Sequence, residues 1–371
     1  MRVLIATDFS THAEDALALV GDLAIPDGSV VRIVHVVEPF PPISSLAPTS
    51  MTEMAEAVER EAMAELDRKR AIFRERALEV QTALVLGRPA EMIVDEAQRF
   101  RADLIVMGSR GRRGIAAALL GSVSAEVVDR APCPVLVARG RKLTQVVLAE
   151  DGSLVSATGA DLVSKTPALR SLPVTVVSVV DAPFPSTAAN SDAGPSMHAA
   201  IRAYYDSLPA QREAMARVAN TRAAQLTDAG SISSAEVREG DAAQQLIDAA
   251  AATGADCIVI GSHGRTGISR LFLGSVARAV LFHAPCSVLI VRAPASVTAG
   301  TSPKTLASAR YVTPQPALLA DARVSCPRHG GAAVDVERCL GCGYFTGAGA
   351  CGAGPRELGD ADAAIWRHLL P

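Results

Sequence analysis

The chain lacks an excess of positive charge. Its 36 Lys and Arg stand against 39 Asp and Glu, a formal net charge of −3, so no general basic field is available to hold nucleic acid or an anionic membrane. It lacks any run of about 18 uninterrupted apolar residues, which argues against a membrane-spanning helix. It lacks a signal-peptide layout, because Met1-Arg2-Val3-Leu4-Ile5-Ala6 runs straight into a strand-like segment. Its cysteines form no disulfide framework. They number seven, an odd count; Cys133, Cys257 and Cys286 are scattered through apolar contexts, and Cys326, Cys339, Cys342 and Cys351 cluster near the end. A reducing, cytoplasmic setting is expected. Two nucleotide-enzyme signatures are also missing: no Gly-x4-Gly-Lys-Ser/Thr motif occurs, and no Ser-Gly-Gly-x-Asp-Ser loop follows the first strand.

What the chain has is a repeat. Its 371 residues, 49 % hydrophobic, are enough for two or three cored domains. Gly108-Ser109-Arg110-Gly111, nine residues, then Gly121-Ser122 is matched by Gly261-Ser262-His263-Gly264, nine residues, then Gly274-Ser275. The flanks match too: Ala102–Gly108 with Ala255–Gly261, Ala131–Val137 with Ala284–Ile290, and Leu86-Gly87 with Glu239-Gly240, all 153 positions apart. Nearer the start of each unit the separation is 143, pairing Asp8 with Asp151 and His35 with Ser178. The second unit therefore carries about ten extra residues, assigned to the Pro-, Ser- and Ala-rich loop Asp181–Pro195.

Each unit alternates strand and helix. In the first, strands are expected over residues 2–7, 30–37, 80–86, 103–107 and 134–138, with helices from Ser10 to about 24, over 52–79, 89–100 and 122–130. This alternation implies a parallel sheet with helices on both faces. The expected architecture is α/β: two tandem open, mostly parallel, Rossmann-like five-stranded sheets, plus a small cysteine-rich tail. The divisions are 1–140, 141–293, a flexible linker over 294–322, and a terminal module over 323–371 with a short helix carrying Trp366.

Glycine allows backbone to approach an anion and to take positive φ, and a strand, glycine loop and helix start together favour phosphate. In doubly wound sheets ligands sit beyond the strand carboxyl ends, where Asp8, Val37 and the loop after Met107 converge. Arg110, Arg112 and Arg113 in one unit, and His263 and Arg265 in the other, add positive charge. Cys133 and Cys286 read as small buried hydrophobes, and His35 as a packing residue.

The Gly-x2-Gly-x9-Gly-Ser pattern, the strand-end Asp and the Cys-Pro-Val-Leu-Val-like last strand resemble the universal stress protein family, specifically its ATP-binding subgroup. The resemblance covers residues 1 to about 293 as two copies and implies an adenine nucleotide α-hydrolase-like fold. It implies that Asp8 and Asp151 contact the nucleoside, and that the backbone near Val36, Val37, Val179 and Val180 reads the adenine edge. It implies phosphate contacts from Met107, Gly108, Gly111, Gly121, Ser122 and Val123, and from Ile260, Gly261, Gly264, Gly274, Ser275 and Val276. ATP is the implied cofactor, with Mg²⁺ beside Asp8 or Asp151 as an option. One carboxylate per site is thin for catalysis, so the chain reads as a stress-response regulator with little or no turnover; a slow ATPase and a scaffold with structural nucleotide are the alternatives. The last strands resemble the family's dimerisation strands and imply an intramolecular pseudo-dimer, a homo-oligomer being left open. Thr7-Asp8-Phe9-Ser10 departs from the commoner form seen in Asp151-Gly152-Ser153.

In the tail, Cys326-x2-His329 and Cys339-x2-Cys342 form two chelating pairs suited to tetrahedral Zn²⁺, with a redox Cys339/Cys342 pair as runner-up. Residues 326–371 carry four Arg, no Lys and five acidic residues, which favours a protein-contact role or simple stabilisation of the short tail over nucleic-acid binding.

Overall fold

The structure, a computed structural model, describes residues 1–38, 48–74, 76, 78–111, 120–181, 195–264, 273–292, 323–326 and 332–335, with backbone alone for 48–52, 195–200 and the last two segments. The expected linker, the tail helix with Trp366, and Arg112, Arg113 and Arg265 lie outside the described residues.

The first half runs β1 (Arg2–Ala6), α1 (Thr11–Asp22), β2 (Val30–Val37), α2 (Pro48–Arg70), β3 (Glu79–Leu86), α3 (Pro89–Phe100), β4 (Leu104–Gly108), α4 (Ser122–Arg130) and β5 (Val135–Ala138). The second runs β6 (Val146–Ala149), α5 (Leu154–Lys165), α6 (Pro167–Arg170), β7 (Val174–Val180), α7 (Pro195–Asp228), β8 (Ser233–Glu239), α8 (Ala242–Thr253), β9 (Cys257–Gly261), α9 (Ser275–His283) and β10 (Ser287–Val291). Helix α3 starts with Pro89, whose missing N–H costs nothing in the first turn. Ser10 caps α1 by accepting from the Ala13 amide at 3.3 Å, and Ser153 caps α5 in the same way at 3.1 Å.

The strand order is β3-β2-β1-β4-β5-β10-β9-β6-β7-β8. The two expected five-stranded sheets are thus halves of one ten-stranded sheet. All pairings within each half are parallel; the join, β5 with β10, is antiparallel. Leu136 faces its own repeat counterpart Leu289 across that join, so a pseudo-two-fold axis passes between them. The reason is burial: β5 and β10 are buried along their whole length, and bare apolar edges of this kind would template aggregation. Period-two alternation sends Leu4 and Ala6 to one face and Val3 and Ile5 to the other, and each face's core runs through both halves.

Two expectations change. Helix α2 ends at Arg70 and passes through a 3₁₀ turn, Ala71–Phe73, rather than continuing to residue 79; Phe73 is buried there, and the Glu79 amide already bonds the Ser29 carbonyl at 3.3 Å. The extra length of the second unit is mostly helix, since α7 has 34 residues against 23 in α2. The loop reading for 182–194 lies outside the described residues. None of the helices among the described residues is long and apolar enough to cross a membrane.

Residues 295–371 form a separate unit. In it β11 (Arg323–Cys326) and β12 (Ala332–Asp335) pair antiparallel, Cys326 opposite Ala332. Of the four expected zinc ligands, only the backbone of Cys326 is described; His329, Cys339 and Cys342 lie outside.

Candidate nucleotide sites

In the order 3-2-1-4-5 the connections leave β1 in opposite directions, opening a crevice at the carboxyl ends of β1 and β4. Asp8 follows β1, and its Oδ1 accepts the Ser10 amide at 3.1 Å. Asp151 repeats this after β6 with the Ser153 amide at 3.0 Å. The glycine loops lie directly against these carboxylates. A Cβ on Gly111 would fall 2.6 Å from Asp8 Oδ2, and one on Gly264 would fall 2.8 Å from Asp151 Oδ2. Only glycine fits there without displacing the aspartate.

The loops are pinned at their bases. The Gly121 amide donates to the Ser109 carbonyl at 2.7 Å, and the Gly274 amide to the Ser262 carbonyl at 2.8 Å. Gly121 and Gly274 then act as N-caps of α4 and α9 without any side-chain cap bond, so the first-turn amides of Ser122, Val123, Ser275 and Val276 lack the usual capping oxygen. Each helix therefore brings donors and the positive end of its dipole to the crevice. Met107 and Ile260 are buried in β4 and β9 just before the loops. Gly108 admits the backbone of α1, since a Cβ there would stand 2.6 Å from the His12 carbonyl carbon; at Gly261 the obstacle is the Val155 side chain at 2.9 Å.

Strand alternation separates the adenine-edge candidates. The Val34 carbonyl accepts from Thr7 on the β1 side, whereas the Val37 carbonyl accepts from Gly87 on the β3 side at 3.0 Å. Val36 shares the orientation of Val34, so its backbone polar groups point to the β1 side beyond that strand's end at Ala6. The second half repeats this: Val177 accepts from Glu150, Val180 from Gly240, and Val179 points past β6.

The two crevices differ beside the aspartate. In the first, Phe9 sits at φ 61° and stacks on His35 with ring centroids 4.3 Å apart, while His35 Nδ1 lies 2.7 Å from the Thr7 carbonyl oxygen. His35 is thus tied into packing. In the second, Gly152 takes φ 81° and Glu150 replaces Thr7. The Glu150 side chain is fully buried. It accepts from the Gly152 amide at 2.8 Å, Ser156 Oγ at 2.6 Å and Arg222 Nε of α7 at 2.5 Å. Sequence reasoning missed this brace; the Thr7-to-Glu150 change between matched positions was its only trace.

It also missed two arginines at matched positions next to the join. Arg139 donates to the carbonyls of Leu281, at 2.5 Å, and Cys286; Arg292 donates to those of Val128 and Asp129. Each half thus satisfies the C-terminal carbonyls of the other half's last helix. Burial lowers Arg139 to about 10 and lowers Arg292 as well. Burial raises the Cys133 thiol to about 12 and also raises Cys257 and Cys286, in keeping with cysteines that act as core residues.

The family model for the universal stress protein family matches residues 1–139 and 143–292. A universal stress protein of Thermus aquaticus is 42 % identical over 142 residues, covering 37 % of this chain and 97 % of that one. The Mycobacterium bovis universal stress protein Mb2028c is 28 % identical over 238 residues, covering 60 % and 72 %. The crystal structure of an Archaeoglobus fulgidus universal stress protein superposes with a TM-score of 0.50 at 17 % identity, covering 78 % of this chain and 96 % of that one; it bears on the fold alone.

Proposed function

The chain belongs to the universal stress protein family, with two such domains in tandem, and from that premise we propose that it binds an adenine nucleotide, ATP above all, in each half and acts as a nucleotide-responsive regulator. The observation that carries this reading is the twice-built cradle: an aspartate carboxylate so close to a glycine that a Cβ there would displace it, beside a helix start whose glycine cap offers no side-chain oxygen. Asp8 and Asp151 would accept from ribose hydroxyls. Val36 and Val179 offer a backbone edge to a planar base. The Gly111–Ser122 and Gly264–Ser275 loops would hold the phosphates through backbone N–H groups. Bound nucleotide would supply a polyanion at these amides; the chain's own part is to bind and orient it. In the terminal module we keep the Cys326/His329 and Cys339/Cys342 pairs as a zinc proposal, resting on their spacing.

The test is ATP titration of wild type and of Asp8→Ala and Asp151→Ala separately. Two sites are expected in wild type, and each substitution should weaken one of them by about tenfold or more, the size of a lost hydrogen bond to a charged group. A wild-type protein that shows no ATP binding overturns the reading. Nucleotide retained stoichiometrically through purification would favour the structural role over sensing.

A further inference from the structure

We propose that Glu150 is a positioning residue of the second site: its buried carboxylate, held from α7 by Arg222, sets the Asp151 carboxylate for nucleotide. The proposal rests on the nucleotide reading above. Glu150 is fixed through main chain and side chain alike. Its amide donates to the Val177 carbonyl at 2.9 Å, and its carbonyl accepts from Ser178 Oγ at 2.6 Å. Its Oε1 accepts from the Gly152 amide at 2.8 Å, which closes a ring around Asp151. The same oxygen accepts from Ser156 Oγ at 2.6 Å. Ser156 gives its amide to Ser153 Oγ at 3.1 Å, and Ser153 gives its amide to Asp151 Oδ1 at 3.0 Å. A continuous set of hydrogen bonds thus runs from the Glu150 carboxylate to the Asp151 carboxylate.

The donors explain why this residue is a carboxylate. The Gly152 N–H meets Oε1, and the Arg222 Nε–H meets Oε2 at 2.5 Å. Neither donor can accept, so both oxygens must. A carboxamide offers one acceptor and would set its NH₂ against the other donor. The turn alone needs no charge, since in the first half Thr7 Oγ1 takes the Phe9 amide at 3.1 Å. A fully buried carboxylate is costly unless paired, and its partner comes from a helix that also reaches the neighbouring strand ends. Arg212 of α7 pairs at 2.8 Å with Glu239 at the end of β8, and Tyr204 donates to the Asp181 carbonyl just past β7. One helix therefore holds residues at the carboxyl ends of β6, β7 and β8, the side of the sheet on which Asp151 lies.

Calorimetric ATP titration of the full-length chain carrying Gly111→Val, which removes the first site, isolates the second. Adding Glu150→Gln should weaken ATP by about tenfold. Adding it together with Asp151→Ala should weaken ATP by no more than about twofold beyond Asp151→Ala alone, because nothing is left to position; a general loss of structure would act in both backgrounds. Arg222→Ala with Glu150→Thr, which supplies the hydroxyl used in the first half, should stay within about threefold of the parent. If Glu150→Gln fails to fold, Ser156→Ala, which removes one donor and keeps the ion pair, makes the same comparison with a loss of about threefold expected. Unchanged ATP affinity, an equal loss in the Asp151→Ala background, or a double variant as weak as Glu150→Gln overturns the proposal while the nucleotide reading stands. ATP binding by wild type but not by Gly111→Val removes the second site and this proposal with it. Absence of ATP binding in wild type overturns the nucleotide reading itself.

Discussion

The two halves reach the same aspartate placement by different braces. In the first, the turn after β1 is held by a neutral hydroxyl, with the Phe9 amide donating to Thr7 Oγ1 at 3.1 Å, and by the Phe9–His35 stack. In the second it is held by a buried carboxylate, Glu150, ion-paired to Arg222 on the elongated α7. Yet Ser10 and Ser153 bond Asp8 and Asp151 almost identically, at 3.1 and 3.0 Å. The turn that holds each aspartate thus keeps the same hydrogen bond over two different supports. The charged brace ties the second site to a helix whose basic residue, at the matching position in the first half, pairs elsewhere: Lys69 reaches Glu14 and Glu65.

Removing the charged brace should show the largest effect. Arg222→Ala leaves Glu150 buried without its cation, and a loss of about 3–5 kcal/mol is expected in chemical denaturation. Adding Glu150→Thr, which copies Thr7 of the first half, should recover most of that loss. If the single and double variants are equally unstable, the two braces are not equivalent solutions.

The glycine that opens each loop should respond next. Gly108→Ala drives a Cβ into the α1 backbone at His12, 2.6 Å away, which cannot move without shifting the helix; Gly261→Ala meets the Val155 side chain at 2.9 Å, which can rotate, and its nearest backbone atom, the His263 carbonyl oxygen, is 3.3 Å away. Overpacking at Gly108 is expected to cost about 1–3 kcal/mol, more than at Gly261. Thermal denaturation of the two variants checks the order.

The smallest effect belongs to an ion pair that breaks the pseudo-symmetry of the join. Arg278 of α9 lies 3.0 Å from Asp129 of α4, whereas their counterparts are Ala125 and Phe282. Asp129 and Arg278 are partly exposed, so a double-mutant cycle with Asp129→Ala and Arg278→Ala should give a coupling of about 0.2–1 kcal/mol. A zero coupling would leave the join as symmetric energetically as it is in outline.

Much of this was legible in the sequence because it is local. Pro89 and Ser122 begin their helices where sequence reading places them, and those helices run over the expected residues. The glycine loops were legible twice over, since the repeat puts the same residues after the same apolar runs. Helix α2 was overextended because residues 71–78 carry no strong stop signal; the burial of Phe73, a tertiary matter, ends it. The contact of Glu150 with Arg222 spans 72 positions and that of Arg139 with Leu281 spans 142. No periodicity encodes such contacts.

The sequence by itself determined a duplicated α/β unit, the family it belongs to, and the positions of the glycine loops after the fourth strand of each half, because each follows from short-range pattern and from the residue types a backbone conformation admits. Only the tertiary structure decided that the two sheets are one, that Leu136 meets Leu289 on a pseudo-two-fold axis, that Val36 and Val179 rather than their neighbours turn a backbone edge to the crevice, and that each half's arginine closes the other half's helix. Those features depend on which buried edges come together, and burial is a property of the assembled chain.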